Sequence, residues 1–138
     1  MHDDLILNKA ATIERCVKRA RDEYALAGAG FAADITRQDA AILNIQRACE
    51  AAIDLGQYVV RRDRLGVPQS ARDVFALLAT HGVIGADLSV GLQRMVGFRN
   101  IAVHQYQQLQ YPILVEVIER HLDDFLRLSS LMLKQGQG

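Results

Sequence analysis

ILNIQRACEAAIDLGQYVV, residues Ile42 to Val60, decides the fold. Ile42, Ile45, Cys49, Ala52, Gly56 and Val59 recur at steps of three and four, the spacing that lines one face of an α-helix. Leu43 and Ile53 widen that face, so the helix is expected to be buried over much of its surface. It is predicted to run from about residue 37 to 64, because Gly66-Val67-Pro68 stops the chain.

The same periodicity extends outward in both directions. Ile6, Ala10, Ile13, Val17, Ala20 and Tyr24 predict a first helix over about 4–27, closed by GAGF at Gly28 to Phe31. Ser70 is suited to cap a short third helix carrying Val74, Leu77 and Leu78, with His81-Gly82 at its end. A fourth helix is expected from a cap at Asp87 and carries Leu88, Leu92 and Met95. Pro112 fits the first turn of a fifth, whose stripe is Leu114, Ile118, His121, Phe125, Leu128 and Met132. The terminal KQGQG is expected to fray. Short connections between long helices imply antiparallel neighbours. The reading is all-α: one domain over residues 1–138, built as an up-and-down bundle of about five helices.

Composition agrees. Half of the 138 residues are hydrophobic, but only 6% are aromatic and Trp is absent, so the core must be aliphatic. Two prolines leave long helices intact. Lys+Arg and Asp+Glu both total 16, which argues against a protein that coats nucleic acid indiscriminately but permits a local basic cleft. Cys16 and Cys49 sit in helical patterns without metal-ligand spacing and read as small buried residues in a reducing compartment. No signal peptide or membrane-length apolar run is visible, so a soluble cytoplasmic chain is expected.

The fourth helix breaks its own pattern. With Leu88 as origin, Arg99 falls at roughly 20°, in the middle of the apolar stripe. A guanidinium there must be paired, placed at an interface, or used in chemistry, because burying it alone is costly. Glu50 and Asp54 are candidate structural partners. His104 lies roughly 140° around the helix from Arg99, whereas Asn100 and His104 share a face at i, i+4. Arg99 and His104 can therefore meet in two ways: the helix ends near Val103, or two copies of the chain pair and line one cleft.

The segment GFRNIAVHQY, Gly97 to Tyr106, resembles the signature of the HEPN ribonucleases: an arginine, a polar residue, a short spacer, then a histidine. Tyr106, two residues after His104, is similar to the subgroup that includes the HepT-type toxins. The length, the helix order, the late position of the motif and the stretch QRACEAAIDLGQYV, Gln46 to Val60, fit as well. The resemblance implies a homodimeric, metal-independent endoribonuclease of a toxin–antitoxin pair, with no cofactor and with Arg99, Asn100 and His104 as its catalytic residues. It implies an MntA-like minimal nucleotidyltransferase antitoxin as partner, attaching AMP to Tyr106.

RNA carries its own nucleophile, the 2′-OH, so the protein needs chiefly acid–base and charge-stabilising groups. An imidazole with an ordinary pKa of about 6.5 can move the protons, and a guanidinium fork can hold the phosphate. Arg61, Arg62 and Arg64 either complement the dipole at the end of helix two or form the rim of an RNA cleft. His121 reads as a core or interface histidine, and His2 and His81 as exposed ends. Two further classes stay open: a HEPN-like bundle that binds without cutting, and a purely structural bundle in which an acidic partner holds Arg99.

Overall fold

The computed structural model describes residues 3–137, with side chains through 135. Met1, His2 and Gly138, the last residue of KQGQG, lie outside it, as does the side chain of Gln137. The chain forms α1 (Asp4–Ala27), a 3₁₀ segment (Gly28–Ala33), α2 (Ile35–Arg62), α3 (Ala71–Thr80) and α4 (Ala86–His104). A 3₁₀ turn (Tyr106–Gln108) leads into α5 (Tyr111–Glu116), a π-helical turn (Val117–His121) and α6 (Asp123–Gln137), which together make the fifth helical run. The arrangement is the antiparallel up-and-down bundle expected from the sequence.

Capping chemistry fixes most of the boundaries. Asp3 accepts from Leu5 N at the start of α1, and Ser70 accepts from Asp73 N at the start of α3. Asp34 accepts from Arg37 N, so α2 begins at Ile35, two residues before the expected start, and it stops at Arg62 rather than 64. At α4 the expectation is corrected: Gly85 is the cap, without a side-chain bond, and Asp87 lies inside the first turn, where its charge complements the helix dipole. Pro112 occupies the first turn of α5, as expected. The π turn is a widened helical coil that periodicity alone does not encode.

α2 runs through the middle of the bundle and packs against α1, α3, α4 and α6. Ile45, Ala48, Ala52, Leu55, Val59 and Val60 are fully buried along it, as are Phe75, Leu92 and Phe125 on its neighbours. Each large aliphatic or aromatic side chain so buried contributes roughly 1.5–3 kcal/mol. Leu43 departs from the expected face and is exposed, whereas Ile53 is buried. Ser89 satisfies its buried hydroxyl by donating to the Phe75 carbonyl at 3.0 Å, which ties α4 to α3.

Gly56 sets how closely α2 and α3 approach. A Cβ at this position would lie 2.6 Å from Val74 Cγ1, and Val74 is fully buried and stiff at χ1. Gly56→Val is expected to destabilise the protein by about 1–3 kcal/mol through overpacking, despite better helix propensity. Urea unfolding measures it, and an unchanged midpoint would show that the α2–α3 contact yields without cost.

Candidate active site

The bundle places the motif on the last turns of α4, alongside α2. Leu88, Leu92, Met95 and Ala102 are buried, so Arg99 does emerge from the middle of an apolar stripe. Val96 and Phe98 are buried too. α4 nonetheless presents Val90 and Val103 outward, both exposed, and is therefore apolar on more than one side.

Arg99 is half-buried and faces α2 across a depression of about 330 Å³, shared with Glu50, Ile53, Asp54 and Gln57. The two acidic residues named above as structural partners line the same depression, but neither forms an ion pair with Arg99 among the described residues. Asp54 is taken by Lys9 at 3.0 Å, and Glu50 accepts from Gln46 at 3.3 Å. The buried Arg99 Nε finds no hydrogen-bond partner among the described residues. Cys49 stands beside the guanidinium. Burial pushes its thiol up to about 12, with the arginine's charge and a side-chain hydrogen bond from it pulling the other way. Cys49 and Cys16 are both buried, unbridged thiols, as expected.

His104 is the last residue of α4, and Gln105 caps the helix with its N–H on the Ile101 carbonyl. α4 thus ends near Val103, as one of the two alternatives had it, but that ending does not bring Arg99 and His104 together. His104 is exposed and lines a second depression of about 430 Å³ with Val103, Gln105, Tyr106, Gln107 and Gln108. Asn100 is exposed in a third, of about 680 Å³, with Arg72, Arg94, Ile113, Glu116 and His121. One chain thus brings Arg99, Asn100 and His104 to one helix end but not into one cleft.

The 3₁₀ turn after α4 carries Tyr106. Backbone bonds from Gln108 N to Gln105 O (2.8 Å) and from Leu109 N to Tyr106 O (3.0 Å) hold the turn. The ring is 47% exposed, while its hydroxyl donates to Asp39 on α2. That carboxylate holds the phenol's pKa up at about 12, with a smaller contribution from burial.

Arg61, Arg62 and Arg64 are exposed at the opposite end of α2 from Asp39, roughly 30 Å away at 1.5 Å per residue. Arg62 is already engaged, bonding Asp63 at 2.9 and 3.1 Å and lying 5.8 Å from the Tyr58 ring centroid. His121 is half-buried with Glu116 Oε1 3.6 Å away, and His81 is exposed.

Among the described residues no group of three His, Cys, Asp or Glu side chains could hold a metal ion, and no helix is long and apolar enough to cross a membrane. Sequence reasoning did not find Asp39 or Cys49 as neighbours of the motif, nor Arg72 and Arg94 beside Asn100. Each reaches it from another helix or another turn, and spacing within one segment carries no such signal.

Comparison with known proteins agrees with this fold. The mRNA nuclease HepT of Shewanella oneidensis is 51% identical over 123 residues, spanning 89% of this chain and 92% of that protein. The solved structure of a tri-AMPylated Shewanella oneidensis HEPN toxin in complex with MNT antitoxin superposes with a TM-score of 0.89 at 48% identity, covering 94% of this chain and 97% of that one. A toxin–antitoxin crystal structure with AMP-PNP gives 0.88 at 47% identity, covering 94% and 98%. The Ribonuclease HepT-like family model matches residues 13–132, and the chain belongs to that family.

Proposed function

We propose that this chain is the toxin of a toxin–antitoxin pair, a metal-independent RNA endonuclease that works as two copies and is silenced by AMP attached to Tyr106. The observation that carries the reading is Arg99: a half-buried guanidinium on an apolar helix, with an orphaned Nε, facing a depression five residues along the helix from an exposed His104. A structural arginine would have its buried Nε satisfied as well, and the carboxylates beside this one are engaged elsewhere. In this reading a second copy packs on the end of α4, where Val103 is exposed beside His104. A two-fold axis there brings paired Arg99 and His104 side chains to one cleft, which a single chain does not do.

The chemistry follows from the groups. His104 takes the proton from the RNA 2′-OH or returns one to the leaving 5′ oxygen. Arg99 stabilises charge gathering on the phosphate, and Asn100 orients the imidazole or the phosphate. Exposed Arg61 and Arg64 would meet more distant phosphates of a long RNA, whereas Arg62 is held by Asp63. A minimal nucleotidyltransferase like the MNT antitoxin bound to the related toxin is the partner. The phosphodiester it leaves on Tyr106 adds negative charge and bulk beside His104, where the RNA phosphate must lie.

Purified protein should cleave RNA with a chelator present and lose that activity after co-expression with the transferase. Intact-mass measurement should then find AMP on the wild-type protein and none on Tyr106→Phe. Adduct on the Phe protein would overturn the assignment of Tyr106.

A further inference from the structure

We infer that Asp39 is the proton acceptor for nucleotide transfer onto Tyr106, a role that rests on the reading of Tyr106 as the residue modified. Three tyrosines in this structure donate to carboxylates: Tyr24 to Glu119, Tyr58 to Asp3, and Tyr106 to Asp39. The first two phenols are half-buried, whereas Tyr106 is 47% exposed. Of the three, Tyr106 is the most exposed residue and the one that shares a depression with His104.

A phenol attacking phosphorus must lose its proton. The ordinary phenol pKa is about 10, and beside Asp39 it stands at about 12, so preformed tyrosinate is scarce at neutral pH. The proton must leave during attack, to a base in direct hydrogen-bond contact, and Asp39 meets that geometric requirement first. In the step, Tyr106 Oη bonds to the α-phosphorus of a nucleoside triphosphate. The bond from that phosphorus to the bridging oxygen breaks, pyrophosphate departs with the electron pair, and the phenolic proton passes to the Asp39 carboxylate. The partners are well held: Asp39 sits on the long α2, and Tyr106 opens a hydrogen-bonded turn. A cavity of about 360 Å³ beside Tyr106, walled by Ile35, Gln38 and Tyr111, leaves room for the transferred nucleotide.

The test is single-turnover transfer from ATP by the purified antitoxin, followed by intact mass, for wild type, Asp39→Asn and Asp39→Ala. Asn keeps an acceptor for the phenol but is not a base. Both variants are expected to slow by about 10²-fold or more, with RNA cleavage by the unmodified proteins and antitoxin affinity both at wild-type levels. A wild-type rate for Asp39→Asn with a slow Asp39→Ala would reduce Asp39 to holding the ring and overturn the proposal. Wild-type or faster transfer in both would overturn it too, assigning the base to the transferase or making Asp39 a restraint. Nucleotide on Tyr106→Phe protein would instead remove the acceptor reading beneath it, a separate failure.

Discussion

His104→Ala should lower RNA cleavage by about 10²–10⁴-fold, the usual contribution of a positioned acid–base group, and Arg99→Ala should lower it by about 10²–10³-fold. The more discriminating result comes from combining them. In one chain Arg99 faces the α2 depression with Gln57, while His104 faces another with Tyr106. If two copies supply one cleft, a hybrid of an Arg99→Ala protomer and a His104→Ala protomer still holds one guanidinium and one imidazole across the interface. Co-refolding the two inactive variants under different affinity tags, then isolating the doubly tagged species, should restore measurable cleavage. Each variant refolded alone should stay inactive. A pure but silent hybrid would mean that both groups must come from one protomer, or that both copies of each are required.

The sequence makes the bundle readable because a 3.6-residue period survives in α1, α2 and α6, and because Ser70, Gly66 and Pro112 are strong local punctuation. Boundaries moved where local chemistry competed. Asp34 captured Arg37 N and drew the start of α2 forward, and Gly85 took the cap that Asp87 was expected to supply. The π turn at Val117–His121 is invisible to a periodicity argument, since one wider turn shifts phase without changing residue type.

In the site, Arg99 on its apolar stripe and the Asn100–His104 face were legible because both depend on angles within one helix. The neighbours were not. Cys49 reaches Arg99, and Asp39 reaches Tyr106 across 67 positions, only because α2 and α4 pack together, and side-chain register between helices is not written in either one alone. The surroundings of the charge cluster at Arg61 to Arg64 were equally illegible. Its spacing gave no sign that Asp63 neutralises Arg62 or that the cluster lies at the far end of α2 from Tyr106.

Arg99→Met should stabilise the fold while abolishing most of the activity. Methionine has a similar reach, fits the stripe formed by Leu92, Met95 and Ala102, and brings no donor that needs a partner. The wild-type side chain buries an Nε with none, and an unsatisfied buried donor costs about 1–3 kcal/mol. The outer part of the guanidinium still borders the depression, so the gain should lie near the lower end, about 1 kcal/mol in urea unfolding. Cleavage should fall by about 10²–10³-fold, as for the loss of a donor that stabilises transition-state charge. Arg99→Lys separates the two effects: it keeps the charge but not the planar fork, so activity drops without a comparable gain in stability. Such an opposition is expected where a protein tolerates an ill-satisfied group for the sake of its chemistry. An Arg99→Met protein that is less stable than wild type would mean that the arginine holds the bundle together, and the reading of Arg99 as a phosphate-binding group would lose its main support.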